Sequence, residues 1–383
     1  MMVVRCDFEF LRGLRLLAVV VACALAPVAS AQAASDSGRI RTLFIAAEEV
    51  AWNYAPEGNV LADMQCCADA ATWLSRGPRE LPPVFRKAVF REYTDASFTQ
   101  LKPRPPEWVH LGILGPLIRA EVGDHLVITL KNKLDFSVSL HAHGALYDKA
   151  SEGAGYPDGT IGAYKSDDYV APRSSWTYHW DVPERAGPGP GDPSSIAWLY
   201  HSHVDAPRDT NSGLVGVMLV TRRGEARLDG SPKDADREFI TLYEIFDEAQ
   251  SRLAGRNTAV LVSPGTLDAE GESDEAEESG EANLFHAING YIYGNLPMMH
   301  MKVGEHVRWY LVSLGGETDL HTPHWHGNTV LQEGHRTDVI ELLPASMKVA
   351  DMRPDNPGVW MYHCHVNDHI RAGMAARYEV VKP

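Results

Sequence analysis

From Thr42 onward, apolar and polar residues alternate in short runs bounded by Gly, Pro and Asp, the two-residue period of half-buried strands. The first part of the chain is predicted to form strands over Thr42–Trp52, Ala88–Tyr93, His125–Lys131, Val138–His143, Trp176–Val182, Ile196–His203 and Leu214–Thr221. A second series is predicted over Glu238–Phe246, Ala287–Tyr293, Met299–Leu314, Asp319–His326, Val339–Leu343, Met347–Met352, Val359–His365 and Met374–Val381. Two such sets imply an all-β chain of two tandem β-sandwiches, residues 40–225 and 236–383. The polar segment Arg222–Asp236, with Gly230-Ser231-Pro232, is the expected junction.

Residues 1–33 read as an export signal. Arg5, Arg12 and Arg15 precede the apolar run Leu16–Val28, and Ala29-Ser30-Ala31 offers small residues for cleavage. That run is too short to span a bilayer comfortably, so the mature protein is expected in the periplasm or outside the cell. Of five cysteines, Cys6 and Cys23 leave with the signal, and Cys66 and Cys67 are neighbours that geometry disfavours as a pair. No disulfide framework is expected. The formal charge of −16 argues against nucleic acid as a partner and suits a cationic one. The acidic run Asp268–Glu281 reads as a solvated loop or as a funnel for cations.

The chemistry lies in the histidines. Near the end the chain reads His363-Cys364-His365, with His369 five residues and Met374 ten residues beyond the cysteine. A thiolate, an imidazole and a thioether are three of the four ligands of a blue-copper electron-transfer site. On a strand, His363 and His365 point away from Cys364 and are free for a second metal centre. Three further clusters supply ligands: His141-Ala-His143-Gly144, His201-Ser-His203 and His321-Thr-Pro-His324-Trp-His326-Gly327. A His-x-His pair on a strand puts both imidazoles on one face, about 7 Å apart along the chain, able to bracket closely spaced ions. Together the clusters hold ten of the seventeen histidines. Met298, Met299 and Met301 read as strand core rather than soft copper ligands.

With these motifs in this order, the chain resembles the multicopper oxidases and is most similar to the ceruloplasmin and hephaestin group. Phe44–Pro56, Arg91–Phe98, His110–Pro116 and His201–Pro207 carry that likeness, which extends through nearly all of 42–383. The resemblance implies two cupredoxin-like Greek-key domains where that group has six. It assigns His321, Cys364, His369 and Met374 to type 1 copper, and His141 and His324 to type 2 copper. His143, His201, His203, His326, His363 and His365 fall to the type 3 pair, which makes four coppers per active unit. Ser202 stands where a type 1 site would need Cys, so the first domain should lack one.

The implied reaction takes single electrons from a substrate through Cys364, His363 and His365 and reduces dioxygen to water. Because the three-copper cluster of the family sits between a first-type and a last-type domain, a homotrimer is expected, as in the two-domain laccases this chain also resembles. Glu281, His286 and Asp368 match the group's iron site, which makes Fe(II) the expected donor and the enzyme a ferroxidase. A laccase-like oxidase of phenols or aromatic amines, or a cuprous oxidase, is the alternative. A copper nitrite reductase needs only three histidines at its catalytic copper, and a non-enzymatic copper-binding module could dispense with the cysteine. Lys149, Asp167 and Asp168 resemble the group's calcium loop, and carboxylates with a backbone carbonyl suit that hard cation.

Overall fold

The computed structural model describes residues 38–64, 70–76, 80–262, 281–316 and 318–382. The expected signal, Cys66, Cys67 and all of the acidic run except Glu281 lie outside them. In the first half the strands are β1 (Ile40–Asn53), β2 (Val84–Tyr93), β3 (Ile118–Glu121), β4 (His125–Asn132), β5 (His141–Ala142), β6 (Ser175–Asp181), β7 (Ser195–His201) and β8 (Val215–Thr221). The second half has β9 (Arg237–Asp247), β10 (Leu284–Ile288), β11 (Met299–Lys302), β12 (Val307–Ser313), β13 (Pro323–Trp325), β14 (Val330–Gln332), β15 (His335–Thr337), β16 (Met347–Met352), β17 (Gly358–Cys364) and β18 (Ala375–Val381).

They build a pair of sheets in each half: β2-β1-β4-β6 with β3-β8-β7-β5, and β10-β9-β12-β16-β14-β15 with β11-β18-β17-β13. β4 shows the alternation that drives this: Leu126, Ile128 and Leu130 are buried while His125, Val127 and Thr129 face outward. One core fills the first sandwich around Leu126, Ile128, Tyr178 and Trp180. Another fills the second around Trp309, Trp325, Tyr362 and Cys364.

A third cluster joins the halves, packing Phe85, Leu199 and Val217 against Ile240, Phe246 and Tyr310. Each such side chain contributes about 1.5–3 kcal/mol when fully buried. Lys87 binds Glu248 and the Asn211 carbonyl, and Arg308 is held by Asp234 and Asp351. The described residues accordingly belong to one compact unit, Ser37–Pro383.

Several predicted strands are shorter than expected, because the ligand-bearing segments are held by bridges rather than ladders. Val138–His143 is strand only at His141–Ala142, with Val138 in a lone bridge to Val170. Asp319–His326 keeps only β13, and Val339–Leu343 meets it through the single bridges His321–Leu342 and His324–Val339. Met299–Leu314 is divided into β11 and β12 by a turn at Gly304 (φ +85°). The expected strand Ala287–Tyr293 is interrupted by Asn289 and Gly290, whose φ values of +52° and +80° reverse the chain. Met299 and Met301 are core residues.

Candidate metal centres

Three ligand atoms converge where β17 ends. Sγ of Cys364 lies 3.6 Å from Nδ1 of His369 and 4.0 Å from Nδ1 of His321, and the two nitrogens are 3.2 Å apart. All three side chains are buried. The short helix Asn367–Arg371 brings His369 back over the thiol. Met374, fully buried, follows it, its N–H bonded to the His369 carbonyl at 2.9 Å and its carbonyl accepting from the Cys364 N–H at 3.0 Å. The Thr322 N–H donates to Sγ at 3.3 Å. A thiolate with two imidazoles and a neighbouring thioether is a donor set chosen by copper. Burial pushes the thiol up and pushes His369 down to about 4, so cysteine keeps its proton and the imidazole stays neutral until a cation binds.

Strand alternation sends His363 to the other face. It sits directly opposite His324 of β13, and with His326 the ligand atoms fall within 4.8 Å of one another. Nε2 of His326 is 3.1 Å from Nε2 of His363, and the His365 ring lies 5.5 Å from that of His363. The first half repeats the arrangement. β5 places His141 opposite His201 of β7, and the rings of His141, His143, His201 and His203 lie 5.1 to 5.7 Å apart. Nε2 of His143 is 3.3 Å from Nε2 of His201. Among the described residues, no ring contact joins one quartet to the other.

Carbonyl acceptors set the tautomers. Nδ1–H of His141 donates to the Glu152 carbonyl at 2.7 Å, His201 to Ser202 at 2.9 Å, His324 to Asp338 at 2.8 Å and His363 to Cys364 at 2.7 Å. Each Nε2 is left with its lone pair for a metal. Burial pushes His201 down to about 3 and His143 and His363 down to about 4, so these rings are neutral across ordinary pH. Two of the His-x-His pairs close on a glycine at φ +74°, Gly144 under Trp198 and Gly327 under Trp360. A Cβ there would meet the indole at 2.3 Å and 2.5 Å respectively. Ser202 takes the cysteine's place in the first half, its Oγ donating to Asp209 at 2.6 Å and accepting the Ser139 N–H at 3.1 Å.

The remaining expected residues are arranged more loosely. His286, buried on β10, has its ring 4.9 Å from that of His369, and its Nδ1 lacks a hydrogen-bond partner. Asp368 and Glu281 are exposed, and the trio does not form a tight ligand group among the described residues. Asp167 Oδ2 accepts the Gly153 N–H at 2.8 Å while its Oδ1 has no donor. Asp168 Oδ2 faces Lys165 at 3.4 Å without a hydrogen bond. The Lys149 ammonium is paired with Glu152 and Asp158.

One residue of this region escaped the reading of the sequence. Asp319 is buried and accepts from Nε2 of His321 at 3.0 Å, from the Ile245 N–H at 2.8 Å and from the Gly316 N–H at 2.9 Å. Glu244, fully buried nearby, is pushed well above the carboxylate range, first by burial and then by its neighbour Asp319. The available signal was the spacing Asp319-Leu-His321, which brings a carboxylate to Nε2 of the His321 ring once the loop curls.

Fold and sites together define a protein of paired cupredoxin-like sandwiches that carry candidate metal centres. Residues 92–225 and 266–383 each match a family model described as multicopper oxidase. The chain is 44% identical over 345 residues to ferroxidase HEPHL1 of Homo sapiens, which aligns 89% of this chain with 29% of that protein. Human ceruloplasmin is 38% identical over 350 residues, with 89% of this chain and 32% of the relative covered. The structure of a blue copper oxidase from Nitrosomonas europaea superposes with a TM-score of 0.55 at 16% identity, covering 89% of this chain and 86% of that one. The chain belongs to the multicopper oxidase family. It spans less than a third of the length of these two curated relatives.

Proposed function

We propose that this chain is a copper-dependent ferroxidase, oxidising Fe(II) to Fe(III) and passing the electrons to dioxygen. The observation that carries the reading is the convergence of Cys364, His321 and His369 on one face of β17, with His363 on the other. Bound copper would supply one-electron acceptance at the first set and four-electron reduction of dioxygen to water at the second. The chain's own part is to hold neutral imidazoles and a shielded thiol in place, with tautomers fixed by backbone carbonyls.

His141 and His324 are the expected type 2 ligands, and the six remaining cluster histidines are the type 3 ligands. Among the described residues, no ring contact joins the two quartets. That supports a ring of three chains, in which the first half of one chain meets the second half of the next. Calcium binding by Asp167 and Asp168 is supported by their undonated buried oxygens. Export rests on the basic and apolar pattern of residues 1–33. Among the described residues, no helix is long and apolar enough to cross a membrane.

Iron is favoured over an organic donor by His286, whose unpartnered imidazole packs beside His369, and by Asp368 one residue from that ligand. The HEPHL1 relative is itself titled a ferroxidase. The combined change Glu281→Ala and His286→Ala tests this directly. Iron oxidation should fall at least about tenfold in kcat/KM while oxidation of a bulky organic dye persists. Equal losses on both substrates would favour the laccase-like alternative.

A further inference from the structure

A further grouping of imidazoles stands on the outer face of the first sandwich, apart from the Cys364 site and from both histidine quartets. His125 opens β4 directly opposite Asp181 of β6, and His179 sits two residues before Asp181 on the same strand. Leu126, Tyr178 and Trp180 turn inward, so His125, His179 and Asp181 share the solvent face. Nδ1 of His125 is 2.7 Å from Oδ1 of Asp181, and Nε2 of His125 is 3.3 Å from Nδ1 of His179.

The first contact fixes the second. With Nδ1–H donated to the carboxylate, Nε2 of His125 carries the lone pair, and it points at a nitrogen of His179. A separation of 3.3 Å is long for a direct hydrogen bond. It equals the bite of two imidazoles each about 2.0–2.1 Å from one tetrahedrally bound ion, roughly 3.3–3.4 Å. The paired ligand nitrogens of the other centres stand at 3.1, 3.2 and 3.3 Å. Asp181 behind His125 completes the carboxylate–histidine–metal arrangement.

We propose that His125 and His179, oriented by Asp181, form a surface site for zinc(II), with water in the remaining positions. With two protein donors and open solvent, it is a site that loads and releases its ion rather than a structural one. Nothing in it depends on the reaction proposed above.

Calorimetric titration of the copper-loaded, full-length protein with Zn(II) alone tests the site. Wild type is expected to bind one more equivalent than His125→Ala or His179→Ala, and Asp181→Asn to bind that ion about tenfold more weakly. His300→Ala, which alters another exposed imidazole–carboxylate pair, should leave the extra equivalent in place. All three side chains project from the surface, so these proteins should fold. Identical Zn(II) uptake by wild type, His125→Ala and His179→Ala would overturn the proposal and leave the pair as a hydrogen-bonded relay.

Discussion

Oδ1 of Asp319 lies 3.0 Å from Nε2 of His321, while Nδ1 of the same ring faces His369 and Cys364. The outer nitrogens of His141, His201, His324 and His363 meet neutral carbonyls instead. In the proposed type 1 site, a carboxylate behind His321 would make that imidazole a stronger donor and favour the more highly charged oxidised ion. Asp319→Asn keeps the shape and an acceptor but removes the charge. It should raise the type 1 potential by on the order of 50 mV, the one-electron equivalent of about 1 kcal/mol. Redox titration of the visible band reads this directly, and an unchanged potential would show that Asp319 only braces the loop.

The proposed sharing of clusters between neighbouring chains leads to a complementation result. A chain carrying His143→Ala has a damaged first half-site, and one carrying His326→Ala a damaged second. Each should be inactive alone. If clusters form between neighbouring chains, co-assembly restores about a quarter of wild-type activity, the share of intact junctions in randomly closed three-membered rings. Complete absence of recovery in co-assembled protein would mean that each cluster lies within one chain.

The grouping of these side chains was largely legible because it follows fixed spacings: Cys364 with His369 five and Met374 ten residues on, and His-x-His pairs wherever a strand presents one face. The turns beside them were harder to read. Glu333 and Gly334, at φ +49° and +81°, form the two-residue loop of the β14–β15 hairpin, but a glutamate there gives a weaker turn signal than asparagine. Asn289-Gly290 does carry the strong signal, and the apolar residues on both sides concealed it. Asp319 was hidden for another reason. Its role depends on a loop bringing it to His321 and on the Ile245 and Gly316 N–H groups that aim it, contacts with no period in the chain.

The seam between the halves should respond to pH through His306. Its Nε2 is 3.2 Å from Asp351 and its Nδ1–H donates to the Asp234 carbonyl at 2.6 Å. The hydrogen bond to Asp351 raises its pKa above the usual 6.5. A raised folded-state pKa gives stability that is full below the unfolded value and is lost as pH rises through the folded value. With solvent screening, the contribution is about 0.5–1 kcal/mol. His306→Gln should therefore unfold at lower temperature than wild type at pH 5.5, with the gap closing by pH 9. A gap of equal size at both pH values would contradict this.

Copper content per chain, measured in wild type and in Cys364→Ser, bears most directly on the central claim. The serine hydroxyl removes the thiolate that His321 and His369 face and leaves the carbonyl-oriented quartets intact. Four ions per chain should fall to three, with the intense visible band lost. Equal copper in the two proteins, or about one ion per chain in wild type, would contradict a type 1 site feeding a separate three-copper cluster.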